Sequence, residues 1–172
     1  MILIRRAEVA DAAQIQRVYA SVEAYSGTLQ LPHPSVEMWR ERLTARDVND
    51  VLLVALVDGV VVATGGLHLE KNMRRRHVAS IGLGVADSYV GRGIGSALLA
   101  ELISFADNWL HILRLELTVY ADNEAAVHLC QRFGFLIEGT LRAFALRNGE
   151  FVDTYTMARL HPKPPAVAQS QQ

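Results

Sequence analysis

The chain has 172 residues, 51% apolar and 20% charged, with 17 basic side chains against 18 acidic ones. That length can bury a sizeable core in one domain, and the near-neutral charge argues against nucleic acid or an acidic membrane surface as a partner. A single cysteine, Cys130, excludes an internal disulfide, no apolar run is long enough to span a bilayer, and Arg5, Arg6, Glu8 and Asp11 interrupt any secretory leader. A cytoplasmic protein is expected.

In chain order, Ile2–Ile4 reads as a short strand, and Asp11 as the N-cap of a helix carrying Ile15, Val18, Tyr19 and Val22 on one face. Gly27, Pro32 and Pro34 make Tyr25–Ser35 a loop, after which Ser35 caps a helix through Met38, Trp39, Arg42 and Leu43. Val51–Val57 and Val60–Leu69 form a hairpin around Asp58-Gly59. The basic run Lys71–His77 then reads either as a solvated turn or as a contact to a phosphate or an acidic acceptor. Val78–Val85 is a strand, followed by a glycine-rich loop and a helix whose apolar face comprises Ile94, Leu98, Leu102, Phe105 and Trp109. Arg114–Tyr120 is a strand, and Asn123 opens a helix through Ala126, Val127, Cys130 and Phe133 that Gly134 closes. Phe135–Leu146 and Phe151–Leu160 form a last hairpin around Asn148-Gly149, and residues 161–172 read as a disordered tail behind a single domain spanning 1–160. The order β-α-α-β-β-β-α-β-α-β-β predicts an α+β fold in α/β/α layers: one mixed, mostly antiparallel sheet of about seven strands with helices on both faces.

The stretch with chemistry in it is Ile81–Ser96, a strand that delivers Gly91, Gly93 and Gly95 to the start of a helix. Unpaired amides at a helix N-terminus, approached over glycine, make an anion site. A P-loop is excluded because no lysine lies between Lys71 and Lys163. A dinucleotide fingerprint is excluded because Ser96 stands where its third glycine belongs and the hairpins deny a parallel sheet.

VGRGIG at 90–95, followed by NEAAVHLCQRFGF from Asn123, resembles the two motifs of the GNAT superfamily of N-acetyltransferases, and the element order matches as well. The stretches TLQLPHPS (28–35), DNWL (107–110), ELTVYADN (116–123) and ALRNGEFVDTYTMAR (145–159) resemble the bacterial amino-acid N-acetyltransferases of the phosphinothricin-related branch. The resemblance covers roughly residues 2–160. It implies the acyl-CoA N-acyltransferase fold, acetyl-CoA as co-substrate, no metal, and direct attack by a small-molecule amine, narrowed to the α-amine of an L-amino acid or analogue. It also implies a homodimer built on the last hairpin.

Under that resemblance, Leu83, Gly84 and Val85 pair their backbone with the pantetheine arm, and the Val85 N–H polarises the thioester carbonyl. Val90, Gly91, Arg92, Gly93, Ile94, Gly95 and Ser96 hold the pyrophosphate, although Arg92 reads equally well as a solvent-facing side chain. Asn123 bonds the pantetheine, caps its helix, or does both. Val90 departs from the family's usual arginine or glutamine, and Cys130 stands where the family usually has the tyrosine that protonates the leaving thiolate. Cys130 is either a small buried residue or a proton source, with Tyr120 and water as other sources. Glu116 is the expected base, its alternative being a pair with Arg114 or Arg142. Thr28, Leu29, His33, Tyr120 and Tyr155 are the expected acceptor-pocket residues, with a rigid-loop role open for His33 and core packing for Tyr155. Competing readings are a protein N-terminal or lysine acetyltransferase and a catalytically weak acyl-CoA-binding module.

Overall fold

The computed structural model describes residues 1–166. Its strands are β1 (Ile2–Arg6), β2 (Val51–Val57), β3 (Val60–Leu69), β4 (Val78–Val85), β5 (Arg114–Tyr120), β6 (Leu136–Arg147) and β7 (Glu150–Leu160). They form one seven-stranded sheet in the order β1-β2-β3-β4-β5-β7-β6. Only β4 and β5 run parallel; every other pair is antiparallel. The helices are α1 (Ala12–Ala20), α2 (Val22–Ser26), α3 (Val36–Ala45), α4 (Ile94–Asn108) and α5 (Glu124–Arg132).

Two-residue periodicity divides the core between the faces of the sheet. Along β2, Val51, Leu53 and Ala55 pack with Ile94, Leu98 and Leu102 of α4, while Val54 and Leu56 pack with Ile15, Val18 and Tyr19 of α1 and Trp39 and Leu43 of α3. Each fully buried aliphatic side chain of this kind contributes about 1.5–3 kcal/mol. Both hairpin turns take the positive φ that their sequences predict: +50° and +78° at Asp58-Gly59, +52° and +81° at Asn148-Gly149. Gly134, at φ +88°, closes α5 with its own N–H on the Gln131 carbonyl and the Phe135 N–H on that of Cys130.

Three expectations about the helices are corrected. Asp11 does not cap α1: its carboxylate accepts from the Arg5 guanidinium, at 2.8 Å to each oxygen, and from the Glu8 N–H. That engagement holds Asp11 below the usual carboxylate range, the Arg5 hydrogen bond being the largest cause. The first helix breaks at Ser21, extended at ψ 143°, so Val22 belongs to a separate short helix that includes Tyr25 and Ser26, and the loop begins at Gly27. Asp87 fixes this helix by accepting from the Glu23 and Ala24 amides, at 3.2 Å each. Trp109 falls past the last turn of α4 and is 80% exposed, its place on the apolar face taken by Leu99, Ile103 and Ala106. The basic run is a short turn in which Lys71 pairs with Asp47 and Arg75 with Glu70 and Glu116. Of the expected tail, His161 donates its N–H to the Leu113 carbonyl at 2.7 Å, and residues 167–172 lie outside the described residues.

Candidate active site

The parallel strands β4 and β5 pair only from Val78 to Ser80, opposite Arg114 to Glu116, and then separate. Amides alternate from edge to edge along a strand. The Ala86 N–H bonds the Val62 carbonyl of β3 at 2.9 Å, so Leu83 and Val85 present their N–H and C=O groups to the open split. The split continues into a cleft of about 670 Å³ lined by Leu83, Val85, the glycine loop, Asn123 and Cys130.

At the far end of this cleft Gly91 and Gly93 adopt φ +78° and +79°, where side chains are strained. Gly93 caps α4 without a side chain, and the first intrahelical bond runs from the Ala97 N–H to its carbonyl, leaving the amides of the first turn unpaired. Gly91, Gly93, Gly95, Ser96 and Val90 line the cleft. Ile94 instead is buried in the core, anchoring the turn, so only its main chain is available to a ligand. Arg92 is turned away over the Tyr89 ring at 5.0 Å. The cationic side chain that lines the cleft is Arg132, whose guanidinium donates to Ser96 Oγ at 3.2 Å. Asn123 caps α5 through Oδ1 on the Ala126 N–H at 3.1 Å.

On the opposite face of the sheet lies a second cavity of about 490 Å³. Gly66, Gly82, Thr64, Thr118 and Thr154 contribute to its floor, Thr28–Gln30 and α3 to its roof. Gly84 shows why its walls stand where they do: a Cβ there would come within 2.7 Å of the Tyr19 ring. That ring stacks on Trp39, with centroids 4.9 Å apart, and its hydroxyl shares a 2.8 Å hydrogen bond with Thr64 Oγ1. Gly84 thus makes room for a protein side chain; it also lines the first cleft, with its main-chain hydrogen-bonding groups turned to β3. Gly82 has open space where a Cβ would be. Tyr120 donates its hydroxyl to the Thr28 carbonyl at 3.1 Å, tying the roof loop to β5. At the rim, His68 Nδ1 lies 3.2 Å from Asp50 Oδ2, and Asp50 Oδ1 accepts from the Leu69 N–H.

The two cavities share Gly27, Thr28, Ile81, Leu83 and Thr118. Leu83 lies at this junction, whereas Val85 lines the first cleft alone. The Leu83 N–H thus stands where the cavities meet, and the Val85 N–H in the first cleft.

Thr28, Leu29 and Tyr120 line the second cavity, but the other expected acceptor and base residues do not. Glu116 sits in the last closed rung of β4–β5 and accepts from Arg114 at 2.7 Å and from Arg75 at 3.1 Å. Arg114 was an expected partner and Arg75 was not. Tyr155 is opposite Val119 and packs against the α4 side of the core, so strand parity gives the cavity Thr154 instead. His33 is exposed, at φ +59°, and lines neither cavity. Cys130 lines the first cleft, but burial pushes its thiol up to about 11. Proton transfer from it to a thiolate of ordinary basicity is uphill by roughly a hundredfold. Burial also raises Tyr120, whose proton is committed to Thr28.

Sequence reasoning missed Arg46, Asp50, His68, Thr154 and Arg132, and placed Trp39 on a helix without giving it a role. Arg132 and Thr154 fall inside the stretches NEAAVHLCQRFGF and ALRNGEFVDTYTMAR without a role of their own there, and Arg46, Asp50 and His68 lie outside every quoted stretch. Alternation along β5, which puts Glu116, Thr118 and Tyr120 on one face, was the available clue. Among the described residues no group of three or more His, Cys, Asp or Glu side chains is arranged to hold a metal.

Residues 14–135 match the acetyltransferase (GNAT) family. The chain is 46% identical over 159 residues to the L-amino acid N-acetyltransferase AaaT of Escherichia coli (strain K12), covering 92% of this chain and 98% of that protein. It is similar to the solved structure of a GNAT-family acetyltransferase from Streptococcus pneumoniae, with 31% identity, a TM-score of 0.81, and coverage of 93% of this chain and 99% of that one. It also shares the fold of a phosphinothricin acetyltransferase from Sinorhizobium meliloti solved in complex with AcCoA, at 21% identity and a TM-score of 0.83, over 99% of this chain and 94% of that one.

Proposed function

This chain belongs to the GNAT acetyltransferase family, and we propose that, as an acetyl-CoA-dependent N-acetyltransferase, it acts on the α-amino group of a free L-amino acid or an analogue. The observation that carries this reading is the meeting of a main-chain-lined cleft with a roofed cavity at Leu83, Ile81, Thr28, Gly27 and Thr118. Identity of 46% to a protein named as an L-amino acid N-acetyltransferase supports the acceptor class.

Acetyl-CoA supplies an activated acyl thioester. The unpaired amides of Gly93–Ser96 and the Arg132 guanidinium suit its pyrophosphate, and the free β4 edge at Val85 and Leu83 suits its peptide-like arm. The Leu83 N–H is the donor available to charge developing on the thioester oxygen. An ammonium has no lone pair, so the acceptor must lose a proton before attack. With Glu116 held by two guanidinium groups, His68 takes that role in our reading. Asp50 on Nδ1 leaves Nε2 facing the cavity, and the ring leans over Gly66, one strand from Gly82. The departing thiolate takes its proton from water, because Cys130 and Tyr120 hold theirs.

Thiol release from acetyl-CoA, measured with a panel of L-amino acids and with peptide N-termini, tests the assignment. Turnover with free amino acids is expected. Turnover confined to peptides or lysine side chains would overturn the acceptor class, and tight cofactor binding without turnover would favour a binding module. His68→Gln should lower kcat by about 100-fold, the usual contribution of a positioned base, and Asp50→Asn by less. An unchanged kcat in both would remove the pair from the mechanism.

Cytoplasmic residence and a homodimer complete the reading. A lone buried cysteine suits a reducing compartment. Leu136, Leu141 and Leu146 on the edge strand β6 and Phe151 on its neighbour β7 are exposed, which supports a second copy covering that edge. Sedimentation at micromolar concentration would show a single monomeric species if that edge stays free.

A further inference from the structure

Three buried side-chain polar atoms lack a hydrogen-bond partner among the described residues: Trp39 Nε1, Arg46 Nη1 and Thr154 Oγ1. All three belong to residues lining the cavity beneath α3. A buried polar group left unpaired costs about 1–3 kcal/mol, more when charged, and three residues that carry one stand around this single cavity.

Two of the three sit on one stripe. Trp39, Arg42 and Arg46 follow at spacings of three and four residues along α3 and its C-cap, so they face the cavity together. Arg42 lies over the Trp39 ring at 5.0 Å and donates to Gln30 Oε1. The stripe offers an indole N–H and two guanidinium groups and no acceptor. The one carboxylate lining the cavity, Asp50, already accepts from Leu69 and lies against His68. The C-terminal end of a helix favours a cation, which accounts for a charge at Arg46 but not for a buried Nη1 left without a partner. A donor-only stripe with a planar guanidinium is complementary to a carboxylate.

We propose that Arg46, assisted by the Trp39 indole N–H, binds the α-carboxylate of the acceptor and makes a free carboxylate a condition of turnover. The site accordingly rejects amines, amides and peptide N-termini that lack one at that position. This rests on the amino-acid reading above and adds the residues that enforce it.

The test compares one accepted L-amino acid with its α-amide and its decarboxylated amine, by kcat/KM for thiol release. In the wild type, losing the carboxylate should lower kcat/KM by about 10- to 100-fold, the range of a charge-assisted hydrogen bond. Arg46→Met should collapse the preference to near unity while leaving the KM for acetyl-CoA and the melting temperature in place, and Arg46→Lys should restore part of it. Trp39→Phe, which keeps a ring against Tyr19 but removes the N–H, should reduce the preference by a smaller factor. A wild type that takes all three compounds equally, or an Arg46→Met variant that keeps the full preference, overturns the proposal. A wild type that acetylates no amino acid but acetylates other amines overturns the acceptor class itself, a separately recognisable result.

Discussion

On the α4 side of the β4–β5 split the ligand-facing groups are largely main chain: the free edge at Leu83 and Val85, and the amides of a turn that Gly91 and Gly93 hold at positive φ. On the α3 side they are side chains brought from five strands, two helices and two loops, among them Arg46, Trp39, His68, Thr118 and Thr154. A surface made of main chain keeps its hydrogen-bonding groups whatever residues it carries, provided the backbone keeps its shape. Val90 and Cys130 can therefore line the cleft without removing any of those main-chain groups. A surface made of side chains changes its chemistry with each substitution, which suits the part of an enzyme that selects among amines.

The substitution that breaks this division most severely is Gly84→Ala. Its Cβ would meet the Tyr19 ring at 2.7 Å, and that ring, stacked on Trp39 and bonded to Thr64, cannot swing aside as a flexible chain would. Overpacking of this kind costs about 1–3 kcal/mol. Displacing Tyr19 also disturbs the Trp39 roof. Kinetics should show acceptor kcat/KM down by more than about tenfold, from that same energy range, with the KM for acetyl-CoA nearly unchanged. A variant in which the cofactor KM rises most would mean that Gly84 matters more as part of the cleft lining than as the floor beneath Tyr19.

The reciprocal case is Gly93→Ala. At φ +79° a Cβ costs about 1–2 kcal/mol and disturbs the first-turn amides. The KM for acetyl-CoA should rise roughly tenfold with little change in acceptor preference. Val90→Arg comes next and has the opposite sign. Val90 lines the cleft and is 52% exposed, so an added guanidinium should lower the cofactor KM by about two- to threefold, in keeping with an exposed ionic contact.

The same division explains what could be read from the sequence. Main-chain sites need particular φ angles, and only glycine or a cap residue supplies them cheaply, so Gly91, Gly93 and Asn123 announced the cleft at fixed spacings. The hairpins were equally legible, because Asp58-Gly59 and Asn148-Gly149 each name one turn type. The acceptor cavity gathers residues far apart in the chain, and its chemistry turns on strand parity and on which partner each charge finds. Glu116 has the right face but lies in the closed rung, beside Arg75, which comes 41 positions earlier in the chain. Tyr155 and Thr154 differ by one position and face opposite sides of the sheet.

Cys130 carries the smallest expected effect and the sharpest distinction between the two kinds of wall. It lines the cleft at a motif position, but its residue is only 7% exposed and packs in the α4-side core. Because burial pushes the thiol up to about 11, it stays protonated through the neutral range and holds its proton more tightly than the thiolate that would need it. Because the folded-state value lies above the ordinary thiol value, the fold is fully favoured below about 8.5 and loses stability as pH rises from there to about 11. Cys130→Ala should therefore change kcat by less than about threefold, against the ~10²–10⁴-fold effect of deleting a true general acid. The alkaline limb of the pH–rate profile should coincide in the two proteins. A limb that disappears with the thiol would make Cys130 a participant and give the cleft one catalytic side chain.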